Sequence, residues 1–291
     1  MSLRLEMLQV ARLAPSVLND STGLVEAFIL SNHNPDGGFN DRNGDSDLYY
    51  TVFGIDGLLA LQADIPVGPL EGYLASFGDG DQLDFVHLCC LARARTAVYQ
   101  DLPDAHLLLA NLERFRTPDG GYNQRAGAAC STAYGCLLAY GAYTDNGISI
   151  PNAASFSSCL NSLQTPDGGW GNEQGMNQGT TTATAAAVVV SRALELPIPV
   201  NAPDWLLGCH HPEGGFRAFP AAPMPDLLST AVSLHALGVL QVDCSPIKDS
   251  CLDFVDSLWV NQGGFHGHWA DDFLDLEYTY YGLLALGHLS L

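Results

Sequence analysis

Apolar positions along this chain fall almost throughout at helical rather than alternating spacing. Leu107-Leu108-Leu109-Leu112-Phe115 and Leu252-Phe254-Val255-Leu258 place apolar residues three and four apart, which lines one face of a helix. These half-apolar segments often open near a proline, as at Pro66, Pro103, Pro151, Pro203 and Pro246. Proline suits the first turn, where its missing N–H has no intrahelical partner. They alternate with segments that are apolar nearly all round, which should be buried on most sides.

A glycine turn separates the two kinds. It recurs as Pro35-Asp36-Gly37-Gly38-Phe39, Pro118-Asp119-Gly120-Gly121-Tyr122, Pro166-Asp167-Gly168-Gly169-Trp170, Pro212-Glu213-Gly214-Gly215-Phe216 and Gln262-Gly263-Gly264-Phe265. The later first glycines are 48, 46 and 49 residues apart, and a degenerate copy at Phe77-Gly78-Asp79-Gly80-Asp81 fills the first gap of 83. The chain therefore carries six copies. After each turn we number the start of the apolar helix as position 0: Asp47, Asp84, Ala128, Thr180, Asp226 and Asp275. Position +4 is then Thr51, Leu88, Thr132, Thr184, Thr230 and Thr279, and position +7 is small at Gly54, Gly135, Ala187 and Gly282. Aspartate at position 0 in four copies is what a helix N-cap requires. Two helices per copy predict an all-α fold, and a closed ring buries the apolar helices better than an open solenoid, which needs polar terminal caps. We expect a lead helix in residues 1–22 and a single toroid domain over 23–291.

Composition narrows the function. With 47% hydrophobic and 15% charged residues in a chain of 291, the protein is not disordered. Its net charge of −21, with Lys248 the sole lysine, repels phosphate backbones and anionic lipid heads, so no nucleic-acid partner is expected. No apolar run reaches bilayer length, and Arg4, Glu6 and Arg12 interrupt the N-terminal stretch, so neither a transmembrane segment nor a signal peptide is expected. The eight cysteines include no C-x-x-C pair and mostly sit in apolar runs, which fits a reduced, cytoplasmic protein.

Repeats of the form GG(F/Y/W) followed by D-L-x-x-T-x-x-G/A-x-x-A-L resemble the prenyltransferase β-subunit and squalene cyclase superfamily, the α/α toroids. The resemblance spans roughly Gly23 to Leu291, and Gln164 to Trp170 also matches the Q-x-x-x-G-x-W repeat of triterpene cyclases. It implies a central cavity that binds isoprenoid chains between aromatic side chains of the inner helices. Tyr49, Tyr50, Phe53, Tyr134, Trp170, Phe216, Phe219, Trp269, Tyr278, Tyr280 and Tyr281 lie where they could supply that lining. Aromatic faces suit prenyl chains by burial and allylic carbocations by cation–π attraction. Packing helix against helix is the other role such rings fill.

The resemblance implies three chemistries. A thiolate-activating zinc site would take Asp at position 0, Cys at +2 and His at +3; Asp84, His87 and Cys130 are the residues that come nearest, with zinc or magnesium as the metal. A class II cyclase would use a D-x-D-D acid, to which Asp45-Ser-Asp47 and Asp271-Asp272 are incomplete approximations. A diphosphate would need cations, and Arg42, Arg125 and Arg217 occupy comparable loops, helped by inner-helix N-termini. Arg42 has a competing role, pairing with Asp41 or Asp45. His210-His211 and His266-x-His268 are less specific signals. The leading expectation is prenyltransferase-like handling of an isoprenoid diphosphate: Arg125, Arg42 and Arg217 hold phosphate, Tyr50, Tyr134, Trp170, Trp269 and Tyr278 hold the chain, and Cys130 serves as a metal or acceptor site. The alternatives are a small class II-like cyclase with Asp45 or Asp47 as acid, and a non-catalytic isoprenoid carrier or subunit of a larger complex. The resemblance also leaves room for a helical partner subunit or a homodimer.

Overall fold

The computed structural model describes residues 2–99 and 105–291. Helix α1 (Leu3–Ala11) and the short α2 (Pro15–Leu18) precede six helix pairs. These are α3 (Thr22–Ser31) with α4 (Leu48–Ala60), α5 (Val67–Ala75) with α6 (Phe85–Val98), and α7 (Ala105–Leu112) with α8 (Ala133–Asp145). The series continues with α9 (Ala153–Ser162) and α10 (Thr181–Ala193), α11 (Ala202–Leu207) and α12 (Leu227–Val239), and α13 (Lys248–Ser257) and α14 (Leu276–Leu289). The second helix of each pair is inner. In chain order α4, α6, α8, α10, α12 and α14 pack each on the next, and α14 returns to α4. The ring is closed. Two-residue antiparallel ladders brace some turns, such as Phe39–Asn40 against Ser46–Asp47. Pro103, one of the prolines expected to open an outer helix, lies outside the described residues.

Each inner helix starts on a side-chain cap. Asp47, Asp84, Thr180, Asp226 and Asp275 accept hydrogen bonds from amides in the first turn, as position 0 predicts. The third copy is different. Its cap is Thr132, whose hydroxyl accepts from the Gly135 amide, so the helix begins four residues later than Ala128. Position +2 there is Tyr134, not Cys130, and position +4 is Cys136. The reason is the loop: from the turn aromatic to the cap runs ten residues at Tyr122–Thr132, as at Trp170–Thr180, Phe216–Asp226 and Phe265–Asp275.

The position +4 threonine does two things. Its Oγ1 accepts the amide of the turn aromatic, at 3.0 Å for Phe39 on Thr51, 2.9 Å for Trp170 on Thr184 and 2.8 Å for Phe216 on Thr230. In the first and fifth copies the same hydroxyl donates back to the cap carbonyl, Asp47 O at 2.6 Å and Asp226 O at 2.7 Å. The aromatic is thereby held over the small position +7: the Phe39 ring lies on Gly54 and the Phe265 ring on Gly282, with no room for a Cβ. The first glycine of the Gly-Gly turns meets the outer-helix segment of the following repeat. Gly37 packs on the Pro69 carbonyl of α5, Gly214 on Ser250 of α13, and Gly263 on Leu24 of α3, which joins the last repeat to the first.

Helix α1 crosses one end of the ring, packing on α4, α8, α10 and α14. Arg4 forms a buried ion pair with Asp56 of α4 at 2.7 Å, and Val10 lies against Gly287 of α14. Asp56 and Gly287 belong to the C-terminal halves of their helices, so that is the end α1 closes. Among the described residues, no helix is long and apolar enough to cross a membrane.

The turn geometry is directly testable. Gly214 has φ +99°, and an added Cβ would strike the Ser250 carbonyl. Gly214→Ala should therefore lower unfolding free energy by about 2–3 kcal/mol, read as a lower urea midpoint at unchanged slope.

Candidate active site

The inner helices and α1 enclose a cavity of about 540 Å³, a size that suits a small organic ligand. Its wall follows one helical stripe. Positions +2, +5, +6 and +9 of successive inner helices supply it, including Tyr49, Tyr134 and Glu277 at +2, Tyr280 at +5, Phe53 and Tyr281 at +6, and Arg93 and His235 at +9. Leu3 and Met7 of α1 complete the closed end. Most of the remainder is aliphatic, from residues such as Val52, Leu137, Ala186 and Val232.

Glu277 is the distinctive group. It stands in the first turn of α14, half-buried, and Tyr49 Oη donates to its Oε1 at 2.7 Å. Burial pushes its pKa up to about 7, with the Asp275 charge adding to the rise, while the Tyr49 bond and Arg42 act the other way. A carboxyl that keeps its proton near neutrality, inside an apolar wall, has the character of a general acid. Around it, Tyr49 lies edge-on to Phe53 at 5.0 Å, and Phe53 packs on Tyr281 at 5.5 Å and Tyr280 at 5.8 Å. Burial holds the Tyr49, Tyr134 and Tyr281 hydroxyls far above the ordinary phenol range, so they remain neutral donors. Glu277 was invisible to a reading centred on position 0. Its signal is the +2 column, Tyr49, Val86, Tyr134, Thr182, Leu228 and Glu277, where it is the only ionisable carboxyl.

The expected site residues separate. Tyr134 lines the cavity, whereas Tyr50 lines a shallower cleft at the ring's other end, with Asp47, Asp84 and His87. Trp170 is buried between helices, its indole donating to Leu160 O at 3.2 Å. Trp269 is 44% exposed and packs edge-on to Phe254. Tyr278 covers Gly267 and faces Arg42. Arg42 does not pair with Asp41 or Asp45. It bridges the ring closure to Asp275 at 2.7 Å and Asp271 at 3.5 Å. Arg217 donates to the carbonyls of Cys209 and His210. Arg125 is exposed, and its guanidinium makes no bond among the described residues.

Asp45 sits on the exposed turn before α4 and does not line the cavity. Asp47 caps α4 and accepts from His87 Nε2 at 2.9 Å. Burial opposes ionisation there, but the His87 and backbone hydrogen bonds outweigh it and hold the pKa below the usual carboxylate range, which is the wrong direction for an acid. His87 Nδ1 also meets Asp84 at 2.7 Å, so both ring nitrogens are engaged by carboxylates. Cys130 lies two residues before the Thr132 cap, where its carbonyl accepts from Asn123, and it does not join Asp84 and His87 in the cleft. Among the described residues no three His, Cys, Asp or Glu side chains cluster as a metal ion would need.

Comparison with known proteins is consistent with this architecture. The prenyltransferase alpha-alpha toroid domain profile matches residues 7–91, 85–197 and 198–290. The chain belongs to the prenyltransferase alpha-alpha toroid family. Among solved structures, it is similar to the type II terpene cyclase MstE from Scytonema. An Asp-to-Asn variant of MstE in complex with geranylgeranyl dihydroxybenzoate, its substrate, superposes with TM-score 0.59 at 15% identity, over 95% of this chain and 97% of that one. The apo form gives TM-score 0.55 at 16% identity, over 94% and 97%. No curated relative matches the chain. At these identities the structural likeness establishes the fold, while membership of the toroid family places the chain among proteins of isoprenoid chemistry.

The His87 bridge carries a stability prediction. Its pKa is raised to about 9, first by the hydrogen bond to Asp47, against burial, and then by Asp84. A raised histidine stabilises the fold fully below its unfolded value near 6.5, and that contribution disappears as pH rises through about 9. Between pH 6 and 9.5 the wild-type protein should lose on the order of 1 kcal/mol more than His87→Gln, after discounting for solvent screening. Paired urea titrations at the two pH values measure the difference.

Proposed function

We propose that this protein is an isoprenoid cyclase of the proton-initiated kind, with Glu277 as the acid. The supporting observation is one carboxyl on an aromatic cavity wall, hydrogen-bonded by Tyr49 and with its pKa pushed up to about 7 by burial. In the reaction, Glu277 delivers its proton to the terminal alkene of a bound polyene. The π pair becomes the new C–H bond, and a tertiary carbocation forms that a neighbouring alkene attacks to close a ring. Tyr49 then donates to the carboxylate left behind, compensating the charge where it appears. The faces of Phe53, Tyr280 and Tyr281 stabilise the migrating cation, and the closed wall withholds water that would quench it. Loss of a proton from carbon ends the sequence, so product and substrate are isomers.

A suitable first substrate is the geranylgeranyl dihydroxybenzoate that MstE binds. The wild-type chain should convert it to a cyclic product of unchanged mass. Glu277→Gln keeps the Tyr49 bond but has no acidic proton, and should cut the rate by about 10²-fold or more. The wild-type rate should fall as pH rises through about 7, because Glu277 loses the proton it must deliver. Turnover that survives Glu277→Gln would refute the acid assignment.

Transfer or ionisation of a prenyl diphosphate is a second reading, carried by the unengaged guanidinium of Arg125. Calorimetric binding of geranylgeranyl diphosphate that weakens on Arg125→Ala, with turnover indifferent to Glu277, would favour it.

A further inference from the structure

Arg93 is the charged side chain that the acid chemistry does not use. It lies at position +9 of α6, on the cavity wall. Its Nε donates to Asp145 Oδ2 at 3.2 Å, and that is its only hydrogen bond among the described residues. A quarter of the side chain is accessible, although the residue is walled in by the ring, so the accessible part faces the cavity. Burial disfavours its charge, but the nearby Asp145 and Asp56 more than offset this, and the guanidinium stays fully protonated. The result is a fixed cation on the cavity wall whose Nη1 and Nη2 groups have no hydrogen-bond acceptor among the described residues. Unmade hydrogen bonds of a charged group are costly in such a place.

We infer that Arg93 binds a carboxylate head group on the isoprenoid, through the paired Nη1 and Nη2 edge of its guanidinium. This rests on the isoprenoid-binding reading above. With Nε already committed to Asp145, the end-on edge is what remains, and it presents two parallel N–H donors that match the two oxygens of a planar carboxylate. A diphosphate fits less well: it brings more negative charge, while Asp145 already neutralises much of the one cation, and the buried Arg4–Asp56 pair adds none. Position also favours a head group. Arg93 stands seven residues deeper along its helix than the +2 level of Glu277, a separation of about 10 Å along the ring axis. A chain held by its carboxylate at Arg93 would present alkene carbons to Glu277.

Calorimetric titration tests this without requiring turnover. The probes are a C20 isoprenoid carboxylic acid, its methyl ester and the C20 diphosphate. Wild-type protein should bind the acid at least about 10-fold more tightly than the ester. The Arg93→Gln/Asp145→Asn double variant, which avoids leaving Asp145 buried and unpaired, should bind both with similar affinity. Glu277→Gln should retain the preference for the acid. Equal binding of acid and ester by the wild type, or a preference that persists in the double variant, would overturn the head-group assignment and leave isoprenoid binding standing. A diphosphate that binds more tightly than the acid in an Arg93-dependent manner would overturn it in favour of diphosphate recognition. Failure of all three probes to bind the folded protein would remove the isoprenoid reading and this one together. Acid-selective binding without polyene turnover would retain Arg93 and discard only the role of Glu277.

Discussion

The architecture depends on one short connection, the bond from the amide of the turn aromatic to the hydroxyl at position +4 of the inner helix. Phe39 on Thr51, Trp170 on Thr184 and Phe216 on Thr230 all make it. It satisfies a buried backbone donor where the chain leaves the glycine turn. It also fixes the aromatic over a glycine or alanine one turn later, setting the distance between outer and inner layers. Because the preceding glycine contacts the next outer-helix segment, the repeats with a Gly-Gly turn are positioned by their successors as well as by themselves. The sixth repeat returns the chain to its start, where Gly263 meets Leu24 and Arg42 reaches Asp275 and Asp271.

Ring closure creates the site. On a single inner helix the stripe of +2, +5, +6 and +9 is merely another apolar face, but six such stripes facing inward make an enclosed wall. The same closure explains why most charge stays away from the chemistry. Cap aspartates recur because helices need them, and they lie where amides, a histidine or Arg42 engage them. Glu277 is exempt from capping because Asp275 already performs it. Its carboxyl is therefore left to the environment of the cavity, and burial decides its protonation.

Much of the fold was legible because it is written six times. Helix pairing, caps, small +7 positions and closure all follow from the repeat, and a repeat tolerates one degenerate copy without losing its register. The site was less legible, since function occupies the positions where the copies differ. Cys130 falls at position +2 only if Ala128 is the cap; the ten-residue interval from Tyr122 to Thr132 corrects the register and puts Tyr134 in the inward column. Asp45 and Asp47 were conspicuous as a partial acid motif, yet one is exposed and the other is held ionised by His87. Arg42 was read against its sequence neighbours, and its partners proved to be more than two hundred residues away. Such a pairing becomes visible only once the ring closes.

The overall charge of −21 and the cavity's chemistry are compatible because they act over different distances. Surface carboxylates are hydrated and screened within about 10 Å at moderate ionic strength. Inside the wall, Glu277 is governed first by lost hydration, with Asp275 adding to the rise and Tyr49 and Arg42 opposing it, and Arg93 keeps its charge because two acidic neighbours outweigh burial. An acidic exterior therefore does not prevent a carboxyl of raised pKa and a cation from lining the same cavity. The proposed proton donor at one level and the proposed oxyanion receptor about two helical turns deeper would give the chamber a direction. A flexible polyene, which has no strong polar contacts of its own along its length, would need that direction to present a chosen alkene to the acid.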